Sequence, residues 1–207
     1  MNQKNSLGLN NCFLDLNDPI ELFKVWMNEA ASRELNDPNA LSLATSDKKG
    51  SPSVRIVLLK DVSSHGFTFY TNLDSQKSLD IKNNPKASMC FHWKSLLRQV
   101  RVFGSIYKVE NEVADKYFNS RDYDSRIGAW ASDQSKTLSS RKNLLDRIGK
   151  FKKKYKDEKN LPRPKHWSGW SLNPSSIEFW VGDQFRIHER LKYFKEIDSW
   201  SKKLLNP

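Results

Sequence analysis

A run of aliphatic residues closed at each end by a cation, Arg55-Ile56-Val57-Leu58-Leu59-Lys60, limits what this chain can fold into more than any other stretch. Val54, Ile56 and Leu58 alternate with Arg55, Val57 and Leu59, which suits a pleated, mostly buried strand. Ser63, Ser64, His65 and Gly66 carry a turn signal, and Phe67, Phe69 and Thr71 then alternate with Thr68 and Tyr70. The spacing predicts two strands joined by a short loop over residues 53–71. A desolvated cation is costly alone, so Arg55 and Lys60 must each reach solvent or gain an anionic partner.

The rest of the chain supplies more strands and a set of helices. Residues 1–17 are polar and rich in Asn, and are expected to be mobile. Asp18-Pro19-Ile20-Glu21 is a helix start, and Ile20, Phe23, Trp26, Met27 and Ala30 follow helical spacing to about residue 33. Strands are predicted over 40–45, 55–60, 67–71, 87–93 and 99–109. A short helix capped by Asp74 or Ser75 ends at Asn83-Asn84-Pro85. Successive strands with tight links suggest an antiparallel meander closing as a small barrel. After Glu110 the period is helical to Phe151, and the lysine run 150–159 reads as a solvated helix end. Leu161-Pro162-Arg163-Pro164 is linker-like, and 167–172, 176–181 and 185–193 read as three short returning strands.

At 207 residues the chain permits one sizeable domain with its own core, or at most two small ones. A net charge of +11 attracts nucleic acid, anionic lipid or phosphorylated ligands without choosing among them. Cys12 and Cys90 are far apart, which disfavours a zinc site or a disulfide framework. No signal-like or membrane-length apolar run is present, so a cytoplasmic location is expected. No GxGxxG, Walker, HExxH or GxSxG pattern occurs.

The polar residues that look out of place fall in a few spots. Tyr70, Thr71, Ser75 and Lys77 lie where a strand turns into a helix, either as a phosphate cradle or as an ordinary cap with a surface lysine. The amide of Gln99 suits the edge of a heteroaromatic ring. Tyr117, Arg121, Tyr123, Ser125 and Arg126 cluster in the helical part, followed by Gln134 and Ser135. Trp180 precedes Arg186, His188 and Arg190, whose alternation places them on one strand face. These groups suit gripping one or two phosphates and a flat ring, which implies a cofactor that carries the chemistry itself.

Five segments in order then resemble one family: RIVLLK at 55–60, FYTNLDSQK at 69–77, RQVRVFG at 98–104, YFNSRDYDSRIGAWASDQS at 117–135 and IEFWVGDQFRIHER at 177–190. Together they resemble the pyridoxine (pyridoxamine) 5′-phosphate oxidase family over about Asp18 to Pro207. The resemblance implies an α+β fold, an antiparallel FMN-binding split β-barrel with flanking helices, as one domain over 18–207. It implies a homodimer with FMN at the subunit interface. The implied reaction is oxidation of pyridoxamine or pyridoxine 5′-phosphate to pyridoxal 5′-phosphate, with O2 as acceptor and H2O2 as product. Small phosphorylated B6 vitamers and O2 are the implied partners, with no nucleic acid, membrane or metal.

Positions matching the family's FMN contacts are Arg55, Ile56, Val57, Leu58, Leu59, Lys60, Tyr70, Thr71, Gln76, Lys77, Gln99, Gln134, Ser135, Trp180 and Arg190. Those matching its substrate contacts are Lys60, Tyr117, Arg121, Ser125, Arg186, Ile187 and His188. Arg186 and His188 are the implied catalytic pair, orienting the substrate ring and stabilising charge. Three departures stand out. Gln76 replaces the usual Arg, the family's Arg-x-x-Tyr segment has no match in residues 1–17, and Leu204 stands where an Arg is usual near the terminal Leu-x-Pro. Two other readings stay in view: a different split-barrel flavin reductase, and a basic β-barrel that binds single-stranded nucleic acid.

Overall fold

A computed structural model describes residues 5–63, 66–157 and 161–207. Its centre is an antiparallel nine-stranded sheet, curled as a half-barrel, with five α-helices around it. The strands are β1 (Ala40–Ser46), β2 (Pro52–Leu58), β3 (Asp61–Ser63), β4 (Gly66–Asn72), β5 (Lys86–Trp93), β6 (Arg98–Lys108), β7 (Trp167–Val181), β8 (Glu189–Lys195) and β9 (Trp200–Leu204). The helices are α1 (Pro19–Arg33), α2 (Gln76–Asn83), α3 (Asn111–Asn119), α4 (Tyr123–Ala131) and α5 (Arg141–Lys154). Among the described residues no helix is long and apolar enough to cross a membrane.

The sheet order is β2-β1-β5-β6-β7-β4-β3, with β8 on β7 and β9 on β8. It is therefore not the simple meander expected. β2 and β4 are not partners: β2 pairs only with β1, while β4 pairs with β7 and with the short β3. Ser64 and His65, read from the sequence as part of a turn signal, lie outside the described residues. Gly66 follows them with φ +106°, and a Cβ there would meet the Leu172 carbonyl oxygen at 2.1 Å.

The expectation of a buried strand at 54–59 is corrected. β2 is an edge, and Val54 (68% exposed) and Ile56 (64%) face outward beside Leu58. Apolar alternation marks a face that some surface must cover, and in the single chain that face is open. Leu59 of this run enters the core, and the half-buried Val57 packs against it.

β7 is also a correction. The two short strands expected over 167–181 form one strand of fifteen residues. The register with β6 shifts between Phe103 and Gly104, where Gly104 pairs Pro174 and Phe103 pairs Ser176. Ser175 is the extra residue of a bulge, the place where a sheet tolerates proline. The third expected strand fails at its start: residues 184–186 form a 3₁₀ turn with Phe185 at φ 59° and Arg186 at φ 64°. Arg186 and His188 therefore do not share a strand face with Arg190. β9 was not anticipated.

α1 has the bounds its sequence announces. Asp18 caps it by accepting from the Ile20 N–H at 2.8 Å, and Leu22, Phe23, Trp26 and Ala30 form its buried stripe. Phe23 meets Phe67 and Phe91 edge-on at 4.9 Å, and Trp26 meets Phe179 at 5.1 Å. Residues 5–17, expected to be mobile, are packed instead. Phe13 is fully buried 5.3 Å from Trp26, whose Nε1–H donates to the Cys12 carbonyl at 2.7 Å. The Tyr193 hydroxyl donates to the Leu16 carbonyl at 2.8 Å.

A second, smaller cluster holds the helical part against the sheet through Phe118, Ile127, Leu161 and Trp167. The linker-like segment is thus anchored by Leu161, and Arg163 pairs with Asp115 at 2.6 Å. This cluster places α3 and α4 over the β4–α2 junction.

Candidate active site

The β4–α2 junction and α3–α4 enclose a cavity of about 570 Å³. Of the expected residues, Ile56, Val57, Leu58, Lys60, Tyr70, Thr71, Lys77, Tyr117, Arg121, Ser125 and Gln134 line it. Ser120, Asp122 and Trp167, which were not anticipated, line it as well.

Lys77 dominates the floor. It sits in the first turn of α2, is only 8% exposed, and donates to Thr71 Oγ1 (2.9 Å), Ser75 Oγ (3.0 Å) and Gln134 Oε1 (3.2 Å). Every one of these partners is a neutral oxygen. Burial, with the nearby Arg55 charge adding to it, pushes the Lys77 ammonium down to about 8. Ser75 is not a side-chain cap for α2: its hydroxyl donates to the Asn72 carbonyl at 2.7 Å and faces Lys77 with its lone pairs. The cradle reading therefore fits the geometry better than a surface lysine beside an ordinary cap.

The wall is aromatic. Tyr70 stacks on Tyr117 at 3.9 Å and on Trp167 at 5.4 Å, all three rings nearly parallel. Arg121 lies over Trp167, with Cζ 4.8 Å from the ring centroid. Its buried Nη1 has no hydrogen-bond partner among the described residues, and burial lowers its affinity for its proton. A buried cationic donor with nothing to bond is a place for an anion. Ser125 and Lys60 stand exposed at the same cavity.

Arg55 is half-buried just behind this floor and does gain a carboxylate, Asp80, at 3.8 Å. Its Nη1 donates to the Leu43 carbonyl (3.2 Å) and Thr45 Oγ1 (2.6 Å), and Nη2 donates to Ser53 Oγ. Gln76 does not line the cavity; its Nε2 donates to Asp80 Oδ1 at 2.8 Å. Leu59 points into the core, and Ser135, at φ 72°, is exposed beside Gln134 without lining the cavity.

A second patch forms at the far end of β7. Gln99 pairs Trp180, and Trp180 pairs Arg190, so three strands place these side chains in one row. Arg190 is anchored by the buried Glu178 through Nε (3.0 Å) and Nη2 (2.7 Å) and by the Asn206 carbonyl (2.9 Å). The His188 ring lies 4.7 Å from Trp180. The Asp183 backbone N–H donates to His188 Nδ1 at 3.2 Å, which leaves the neutral ring's proton on Nε2. Arg186 and Ile187 are exposed on the same loop. None of these residues lines the cavity, so the expected site residues fall in two separate places on the chain.

Sequence reasoning missed Asp80, Trp167 and Glu178. Asp80 falls three residues after Lys77 in a helix, a spacing that places both on one face. Trp167 and Glu178 carried no local signal.

Residues 27–155 match the family model described as pyridoxamine 5′-phosphate oxidase. Residues 167–207 match the one described as the pyridoxine 5′-phosphate oxidase C-terminal dimerisation region. The pyridoxine/pyridoxamine 5′-phosphate oxidase of Pelagibacter ubique is 64% identical over 208 residues, spanning 100% of both chains. That of Bartonella henselae is 48% identical over 98% of this chain and 99% of its own. Among solved structures, PhzG from Burkholderia lata in complex with tetrahydrophenazine-1-carboxylic acid superposes with a TM-score of 0.88. It is 28% identical and covers 95% of this chain and 96% of its own. A pyridoxamine 5′-phosphate oxidase-related, FMN binding protein from Nostoc punctiforme has the same fold, with a TM-score of 0.72 at 16% identity. That match covers 89% of this chain and 97% of that one.

Proposed function

The chain belongs to the pyridoxamine 5′-phosphate oxidase family, and on that premise we propose that it oxidises pyridoxamine or pyridoxine 5′-phosphate to pyridoxal 5′-phosphate. With the alcohol, one O2 is consumed and one H2O2 released; with the amine, one water is also consumed and ammonia leaves. FMN, when bound, supplies a two-electron acceptor that O2 can reoxidise.

One observation carries the reading. A buried Lys77 bonded only to neutral oxygens shares a cavity with an Arg121 whose buried Nη1 has no partner. Two separate cationic positions in one cavity suit two phosphates, one from the cofactor and one from the substrate. Lys77, Thr71 and Gln134, backed by Arg55, would hold the cofactor phosphate. Lys60, Tyr117, Arg121 and Ser125 would hold the substrate phosphate, with two cations and two hydroxyls. The aromatic wall and β2 leave room for flat rings between them.

Gln99, Trp180 and Arg190 are the remaining cofactor positions, and Arg186, Ile187 and His188 the remaining substrate positions. A homodimer in which the far patch of one subunit meets the cavity of the other completes the site. The open apolar row on β2 and the match of residues 167–207 to a dimerisation region support that assembly. In it Arg186 and His188 orient the substrate ring, and His188 offers an Nε2–H donor. The protein's contribution is then positioning of two rings and exclusion of water.

A second reading, oxidation of another cyclic substrate, is favoured by the likeness to PhzG. The 64% identity over the full length to a pyridoxine/pyridoxamine 5′-phosphate oxidase weighs against it. Anaerobic mixing decides. The purified yellow protein is expected to lose flavin absorbance on adding pyridoxamine 5′-phosphate, and to recover it with H2O2 release when air enters. An unchanged flavin spectrum would refute the substrate assignment.

A further inference from the structure

We infer that Asp80 is a positioning residue that sets the chain's preference for a phosphorylated flavin by fixing Arg55. The inference rests on the FMN reading above. Asp80 is 2% exposed, and a buried carboxylate persists only when its oxygens are matched. Both are. Oδ1 accepts from Gln76 Nε2 at 2.8 Å, and Oδ2 accepts from Thr45 Oγ1 at 2.7 Å.

The Thr45 bond has a direction with a consequence. A threonine hydroxyl has one proton, and here Asp80 takes it. The oxygen lone pairs are then left for Arg55 Nη1, which donates to them at 2.6 Å. Asp80 thus orients Thr45, and Thr45 orients the guanidinium. The carboxylate also lies 3.8 Å from Nη2, where its charge offsets part of the larger cost of burying the Arg55 cation. Leu43 and Ser53 complete the clamp. The clamp thus holds a half-buried cation close behind Lys77. Without Asp80, the Thr45 hydroxyl loses the acceptor that fixes its rotor, and the guanidinium loses its counter-charge and the firm hold of one of its acceptors.

The test separates recognition of the phosphate from recognition of the flavin ring. Full-length chain freed of flavin is titrated with FMN and with riboflavin, following quenching of flavin fluorescence. Asp80→Asn, which keeps the shape, and Thr45→Val, which cuts the relay but keeps the carboxylate, should each bind FMN about tenfold more weakly. Riboflavin affinity should stay within about twofold of wild type. Thr45→Ser, which keeps the hydroxyl, should bind FMN like wild type. If Asp80→Asn fails to fold, the threonine pair carries the test. Wild-type FMN affinity in the Asp80→Asn and Thr45→Val chains would overturn the inference. So would an equal loss of FMN and riboflavin, which indicates support of the fold alone. A wild-type chain that does not prefer FMN over riboflavin would overturn the phosphate-site reading itself, and this inference with it.

Discussion

The charge on Lys77 is the feature of the cavity that pH can remove. With a pKa of about 8 in the flavin-free fold, the fraction of molecules carrying that charge falls from about 0.9 at pH 7 to about 0.1 at pH 9. A bound phosphate dianion beside the ammonium holds the proton on throughout that range. FMN affinity should therefore fall about tenfold between pH 7 and pH 9, with about 0.9 proton taken up per FMN at pH 9 and about 0.1 at pH 7. Calorimetry in two buffers of different ionisation enthalpy reads the proton count directly. Lys77→Met should bind FMN about 10- to 100-fold more weakly at pH 7 and show a flat profile across the window. The sign for stability is opposite to that for binding. The unfolded chain keeps this proton to near 10.5, so the flavin-free fold binds fewer protons between about 8 and 10.5 and gains stability as pH rises through that interval. A shared pH profile for wild type and Lys77→Met, or proton uptake near zero at pH 9, would refute the cradle.

Arg121→Met should raise KM for pyridoxine 5′-phosphate by about 10- to 100-fold while leaving FMN affinity within about twofold, as steady-state kinetics and flavin titration will show. Arg186→Met should lower kcat/KM about 100-fold with FMN retained, and equal loss of both would remove Arg186 from the substrate side. Phe13→Ala should destabilise the chain by about 3–5 kcal/mol in chemical denaturation, since the ring is fully buried against Trp26; a loss under about 1 kcal/mol would show that residues 5–17 contribute little to the fold.

Much of this architecture can be read from local rules, and the misses share a cause. Asp18-Pro19 marks the start of α1 because cap and proline act within one turn. Tyr70, Thr71 and Lys77 came together because a strand end and a helix start fix their spacing. Long-range partners were the blind spot. Val54 and Ile56 alternate as in a core strand, yet nothing in their own run says that β2 sits at an edge. Arg55 and Lys60 each followed one of the two courses open to them, a carboxylate for the first and solvent for the second. The Arg-x-His-x-Arg alternation mimics a strand, while the left-handed backbone of Phe185 and Arg186, neither of them glycine, breaks it. Leu9 and Phe13 anchor a segment whose Asn-rich composition reads as polar. The gap expected between residues 172 and 176 is bridged in the fold, because the bulge that accommodates Pro174 belongs to a pairing with Gly104, 70 residues away in the chain.

β7 has one more consequence. A strand of fifteen residues spans up to roughly 50 Å, and it carries the cavity's Trp167 at one end and Trp180 at the other. In the proposed dimer a lesion in the cavity and a lesion in the loop, placed on different chains, fall together in one of the two centres and spare the other. Chains impaired by Arg121→Met and by Arg186→Met would then rescue one another when co-refolded, each mixed pair regaining a single centre with wild-type kcat/KM.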